Sequence, residues 1–301
     1  MLRNKNGSFI ASYKKSMKIR GMDGPIDLYI YRPIGFLIAW ILSCAGISPN
    51  TVTLCSAVLG LAAGICAFPG TASAFILCAV LFQVSNCFDC ADGQLARLTG
   101  CYTKEGRILD GVSDYAVNVF VYVGALIGLL NAEHGRFPAL LLVLAGGAAT
   151  VLSCMYYDRA ITNFACVVHG KTECEEDELE SSRDLVASSR GWRRLLWRAY
   201  VFYLIAQKSQ GEAGGPANSV VIPPISEEAK KAYIELNHPM LMAWSFTGPS
   251  AHVLYFLVCA VIGRIELYFL ACVGVALLTC SFLLVQQVLN LKLKSKTFAK
   301  D

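Results

Sequence analysis

The chain has 301 residues, of which 55% are hydrophobic and 16% charged, and its mean hydropathy is +0.50. A soluble domain carries about 25% charged residues, so this composition excludes an ordinary water-soluble fold and points to an all-α, multi-pass integral membrane protein. The net charge of +4 gives no reason to expect a nucleic-acid partner.

In chain order, residues 1–23 form a polar, basic segment (Arg3, Lys5, Lys14, Lys15, Lys18, Arg20) of the kind that lies against anionic headgroups. The first apolar run begins only at Ile34, so no secretory signal is expected and the amino terminus should be retained. The run Ile34–Ile47 has fourteen residues, short of the ~20 that cross a bilayer. With Tyr29, Tyr31, Arg32 and Trp40 nearby, it predicts an amphipathic helix lying in the interface. Ser48-Pro49-Asn50-Thr51 stops that helix and caps the next.

Six spans are expected, at roughly 51–68, 71–96, 108–131, 137–157, 240–262 and 267–287. Three short turns join them on one side, and these hold just Arg136 and Arg264 of the 26 basic residues. The positive-inside rule therefore places both termini and the long connection in the cytoplasm. The predicted division is 1–23 as an N-terminal segment and 24–157 as the interfacial helix with spans 1 to 4. A cytoplasmic insert at 158–237 and spans 5 and 6 with a basic tail at 238–301 complete it.

Within the insert, Glu173 to Glu180 is an acidic, solvated run, Gly191 to Phe202 reads as an interfacial anchor, and Gly211 to Pro224 reads as a linker. The thirteen cysteines are scattered through apolar runs, and Cys87-x-x-Cys90 reads as helix packing.

The chemistry concentrates between Asp89 and Asp114. Asp89 and Asp92 stand three apart, and Asp110 and Asp114 four apart, so each pair projects from one face of its helix. Four carboxylates at the edge of a bilayer need compensating charge, and hard oxygen ligands favour Mg2+ or Mn2+. Gly93 and Gly106 let a ligand come close to the helix backbones, and Arg97 suits a phosphate oxygen.

The spacing D-x2-D-G-x2-A-R-x8-G-x3-D-x3-D, from Asp89 through Asp92, Gly93, Ala96, Arg97, Gly106 and Asp110 to Asp114, resembles the signature of the CDP-alcohol phosphotransferases. The likeness covers roughly residues 24–160 and, more loosely, the last two spans. It implies six spanning helices after an interfacial one and a metal-dependent enzyme of phospholipid synthesis. It also implies that a hydroxyl displaces CMP from a CDP-linked donor.

By the same resemblance Asp89, Asp92, Asp110 and Asp114 hold two ions, and Asp114 also takes the proton. Gly93, Ala96, Arg97 and Gly106, with Asn50, would cradle the CDP group. The partners implied are a CDP-linked lipid or alcohol and membrane lipids, with room for a homodimer, and the active site faces the cytoplasm. CDP-diacylglycerol with inositol or inositol phosphate is the favoured pair. The alternative passes a CDP-linked choline- or ethanolamine-type headgroup to diacylglycerol or another lipid alcohol.

Two further residues stay open. Arg159 would hold an acceptor phosphate or snorkel to the surface, and His252 would line the cavity or bond a neighbouring helix. Two other functional classes share part of this pattern. Asn86-x2-Asp89-x2-Asp92 has the flavour of polyprenyl transferases, whose second aspartate motif lies far downstream. A divalent-cation transporter would have no need of Arg97 among its carboxylates.

Overall fold

The computed structural model describes residues 9–17, 23–132, 136–169, 175–205 apart from 192–193, 196, 199 and 203–204, and 227–298. Among these residues there is no strand. The acidic Glu173 and the linker Gly211 to Pro224 fall outside the described residues, as do Trp192 and Arg193 of the expected anchor.

Helix α1 (Phe9–Ser16) is followed by α2, a π-turn at Asp27–Tyr31 that runs directly into α-helix Arg32–Cys44. Then come α3 (Pro49–Cys66), α4 (Ala72–Thr99), α5 (Lys104–Asn131), α6 (Arg136–His169) and α7 (Glu175–Ser188). After these lie α8 (Glu227–Trp244), a 3-10 turn (Ser245–Thr247), α9 (Pro249–Val261) and α10 (Ile265–Phe298). The helix starts are written in the sequence. Ser48, Thr71 and Thr103 are extended and accept hydrogen bonds from the amides of Thr51, Ala74 and Gly106, so each caps its helix.

Among the described residues six helices are long and apolar enough to cross a membrane, Asp27–Cys44, Pro49–Cys66, Ala72–Thr99, Ile108–Asn131, Pro138–Ala165 and Ile265–Gln286, and the bent pair Lys230–Thr247 with Pro249–Val261 is so when taken together. The number is the expected one, and a helix, α1, precedes them. The membership differs at two places. The helix expected from Ile34 starts at Asp27 and so reaches eighteen residues, because Arg32, which looked like the end of an apolar run, is buried and paired with Asp23 at 2.8 Å. The expected span 240–262 is broken at Ser245–Gly248, since Pro249 disfavours helix at the residue before it and Gly248 is extended. There the hydroxyls of Ser245 and Thr247 donate to the carbonyls of Met242 and Trp244, at 2.7 and 2.8 Å. The connection expected as an insert from Asp158 begins as helix, because no Gly or Pro falls between Gly147 and Gly170.

The chain falls into two compact units, residues 1–151 with 249–275, and residues 152–248 with 276–301. In the first, α4 is central, packing against α3, α2, α9, α1 and α5. Several small polar groups point inward, and many of the leucine and valine side chains of α3 point outward. Thr53, Ser56, Ser85 and Gln94 are buried, whereas Leu54, Val58, Leu61 and Ile65 of α3 are exposed. That inversion suits lipid as the surrounding solvent. Ser56 and Ser85 exchange hydroxyl-to-carbonyl bonds at 2.9 and 2.8 Å, tying α3 to α4. Tyr31 donates to Gln83 at 2.6 Å, and Gln83 donates to the Val253 carbonyl at 3.0 Å, which joins α2, α4 and α9.

Helix α3 meets α5 along a seam of small residues, with Gly60 against Val117, Gly64 against Phe120 and Gly124, and Ala67 against Gly128. A Cβ on Gly64 would sit 2.7 Å from the Phe120 carbonyl oxygen, and one on Gly124 would strike the Gly64 carbonyl. Because the obstruction is backbone, Gly64→Leu is expected to exceed the about 1–3 kcal/mol of ordinary overpacking. The measurement is the yield of monodisperse protein in detergent and its thermal unfolding. A variant as stable as the parent would refute this close approach.

In the second unit, Trp244 is buried against Phe282, Thr279 donates to Ser153 at 3.3 Å, and Gln286 donates to Asn237. Phe164 stacks near Tyr233 and His238.

Candidate active site

The two halves of the aspartate motif occupy the end of α4 and the start of α5. Gly100, at φ +74°, ends α4 and its amide closes on the Ala96 carbonyl at 2.9 Å. Such a left-handed cap is cheap only for glycine. Three residues later Thr103 starts α5. This short turn folds the helices back on each other, so that Asp89 and Asp92 face Asp110 and Asp114.

Carboxylate oxygens of Asp89, Asp92 and Asp110 all lie within 4.8 Å of one another. Asp92 reaches Asp110 side chain to side chain, and Asp114 reaches Asp89 in the same way, with Asp110 also close to it. All four predicted aspartates are therefore brought together. Carboxylates at this separation must share either protons or a cation. The donor set is all hard oxygen, so the group suits a divalent ion of the Mg2+ or Mn2+ type.

Asp92 is the most enclosed, 5% exposed, and accepts a hydrogen bond from Thr53 on α3. The same hydroxyl stands 3.2 Å from the Pro49 carbonyl. A threonine has one hydroxyl proton, so it serves one of the two acceptors at a time.

Gly93 lies beneath the Arg97 guanidinium, whose two terminal nitrogens would each be 3.5 Å from a Cβ placed there. Nε of Arg97 donates to the Ser16 carbonyl, and the buried Nη2 has no hydrogen-bond partner among the described residues. At the start of α5, Gly106 faces Asn50: a Cβ there would meet the Asn50 Oδ1 at 2.6 Å. Asn50 itself is exposed, and Ala96 is half-buried one turn after Asp92.

Two candidates remain, His252 and Arg159. His252, 2% exposed on α9, has Nδ1 3.6 Å from the Cys272 sulfur and its ring near Tyr255 and Tyr268. None of the four carboxylates is among those neighbours. Arg159 is half-buried on α6 in the second unit.

Sequence reasoning missed Thr53, Gln94 and Ser16. Gln94 is fully buried and donates through Nε2 to the Arg32 carbonyl at 3.1 Å and the Ser16 hydroxyl at 3.4 Å. Thr53 and Gln94 were visible as polar residues inside or beside apolar runs, which is a signal for a buried partner. Their partners lie 39 and 62 to 78 residues away, and no local pattern names them.

Residues 46–173 match the family model described as CDP-alcohol phosphatidyltransferase, the family to which the motif spacing pointed. The match takes in α3 to α6, with all four aspartates, Arg97 and Asn50, and leaves out α1 and α2. No curated protein gives a significant match to the chain. The family supports a transferase of phospholipid synthesis acting on CDP-linked substrates at a membrane.

Proposed function

We propose that the chain, as its match to the CDP-alcohol phosphatidyltransferases supports, transfers a phosphatidyl group from CDP-diacylglycerol to a polar alcohol such as inositol or inositol phosphate and releases CMP. The observation that carries this reading is the meeting of Asp89, Asp92, Asp110 and Asp114 where the end of α4 faces the start of α5. Asp89, Asp92 and Asp110, joined by Asp114, would hold two Mg2+ or Mn2+ ions. When bound, those ions neutralise charge on the pyrophosphate and on the departing CMP.

The chain's own groups do the rest. Arg97 offers its unpartnered Nη2 to a phosphate oxygen. Gly93 and Ala96 leave room for that phosphate against α4, and Gly106 and Asn50 take the nucleoside side at the start of α5. The acceptor hydroxyl has a high pKa, so it needs a base within hydrogen-bond reach, and Asp114 takes its proton as the oxygen attacks phosphorus. The near absence of basic residues from the three short turns supports a site on the cytoplasmic side.

The test is to give the purified protein CDP-diacylglycerol, Mg2+ or Mn2+ and a panel of alcohols, and to identify CMP and the lipid product by mass spectrometry. A product formed from CDP-choline or CDP-ethanolamine and diacylglycerol would reverse the donor. Cation uptake into vesicles with no CMP from any donor would favour the transporter.

Thr53 gives a finer prediction. Partners that orient a metal-binding group typically contribute 10–100-fold in affinity. Thr53→Val keeps the side-chain shape but loses the hydrogen bond to Asp92, so the Mn2+ concentration for half-maximal activity should rise by about 10–100-fold. An unchanged Mn2+ titration would count against a role for Thr53 in holding Asp92.

A further inference from the structure

The residues matched by the family begin at position 46, yet the guanidinium next to the carboxylates is held by a segment that precedes them. Arg97 donates its Nε–H to the main-chain carbonyl of Ser16, the last residue of α1. Ser16 is fully buried and is fixed from two further directions. Its hydroxyl donates to the Tyr13 carbonyl at 2.8 Å and faces the Gln94 amide at 3.4 Å. The neighbouring Lys15 ammonium donates to the Leu98 carbonyl, at 3.2 Å, on the last turn of α4.

The helix that carries Ser16 is itself clamped. Phe9 and Tyr13 meet Phe36 edge-on with ring centroids 5.0 Å apart, and Phe9 meets Trp40 at 5.9 Å. Helix α2 is in turn seated on α4, with Gly35 so near that a Cβ would stand 2.6 Å from the Gln94 Oε1 and 3.3 Å from the Ala91 amide. The second positive group in this neighbourhood, Arg32, is paired with Asp23 at 2.8 Å, and Gln94 holds its carbonyl. That pairing neutralises Arg32 locally and leaves Arg97 with a buried Nη2 that has no partner among the described residues.

We propose that α1 and the head of α2 form part of the donor-binding site, with Ser16 as a positioning residue. Its carbonyl takes one edge of the Arg97 guanidinium, so that Nη2 stays directed over Gly93 toward a phosphate oxygen of the CDP-linked donor. The ligand in this statement rests on the function proposed above; the docking of α1 does not. A planar guanidinium offers its donors in a fixed fork, so fixing Nε fixes the direction of Nη2. A lysine at position 97 has no second donor edge to be held in this way.

The test uses the full chain in lipid nanodiscs, with Phe9→Ala/Tyr13→Ala to release α1, Arg97→Lys to remove the held edge, and the combination. Hydrogen exchange of amides 9–17 reports docking without reference to activity, and CMP release against CDP-diacylglycerol concentration reports binding. The parent should protect these amides, and Phe9→Ala/Tyr13→Ala should lose that protection. It should also raise KM about tenfold, the size of one charge-assisted hydrogen bond, with kcat little changed.

In the Arg97→Lys background the same change should add less than about twofold, because the two act through one contact. Equal KM increases in both backgrounds would overturn the proposal and reduce α1 to scaffolding, as would unprotected amides in the parent. Protected amides with no CMP from any donor would instead overturn the assigned ligand and the proposed function with it, while the docking of α1 would stand.

Discussion

Asp114→Asn should lower kcat for CMP release by about 10²–10⁴-fold, the range that a positioned base contributes, while KM for the CDP-linked donor stays within about twofold. Asparagine keeps the size of the side chain and removes its ability to accept a proton. Asp114 is also the aspartate outside the tightest group, since the oxygens within 4.8 Å of one another belong to Asp89, Asp92 and Asp110. Its loss should therefore fall more on the chemical step than on ion binding. The check is a paired measurement of kcat and of the Mn2+ titration. Near-parental kcat would remove Asp114 from the role of base, and a displaced Mn2+ titration with unchanged saturating rate would make it a ligand alone.

Asp92→Asn should abolish measurable activity at Mn2+ concentrations that saturate the parent, with a loss of affinity beyond the about 10–100-fold expected for an orienting partner. Asp92 is 5% exposed, is anchored by Thr53 from another helix, and touches Asp110 across the turn. An amide there removes a full negative charge from the set and turns one oxygen into an N–H donor aimed at acceptors. Isothermal titration of Mn2+ into the purified variant measures the effect directly. Parental Mn2+ affinity would show that the ion is held without Asp92.

The carboxylate cluster was legible because its spacing is local. Asp89 with Asp92, and Asp110 with Asp114, share helix faces by spacing alone, and Gly100 supplies the stop that turns one helix back on the next. What escaped were contacts between distant stretches, such as Thr53 with Asp92, Gln94 with Arg32, and Ser16 with Arg97. Helical periodicity tells which face is buried and is silent on what covers it.

Arg32 misled for a related reason. A charge in a sequence reads as the boundary of an apolar run, and its neutralisation by Asp23 becomes visible only once both are placed. The break before Pro249 was spelled out by Thr247-Gly248-Pro249, but hydropathy averaged over the run outweighed it. The Gly-x3-Gly spacings of α3 and α5 were equally readable as a packing motif.

Those glycines bear on the proposed metal site. Main chain rests on main chain between α3 and α5, α5 carries Asp110 and Asp114, and Thr53 of α3 bonds Asp92. Mg2+ bonds oxygen at about 2.0–2.1 Å and Ca2+ at about 2.3–2.6 Å. On the proposed function, a seam that limits how far these two helices can part would favour the smaller ion.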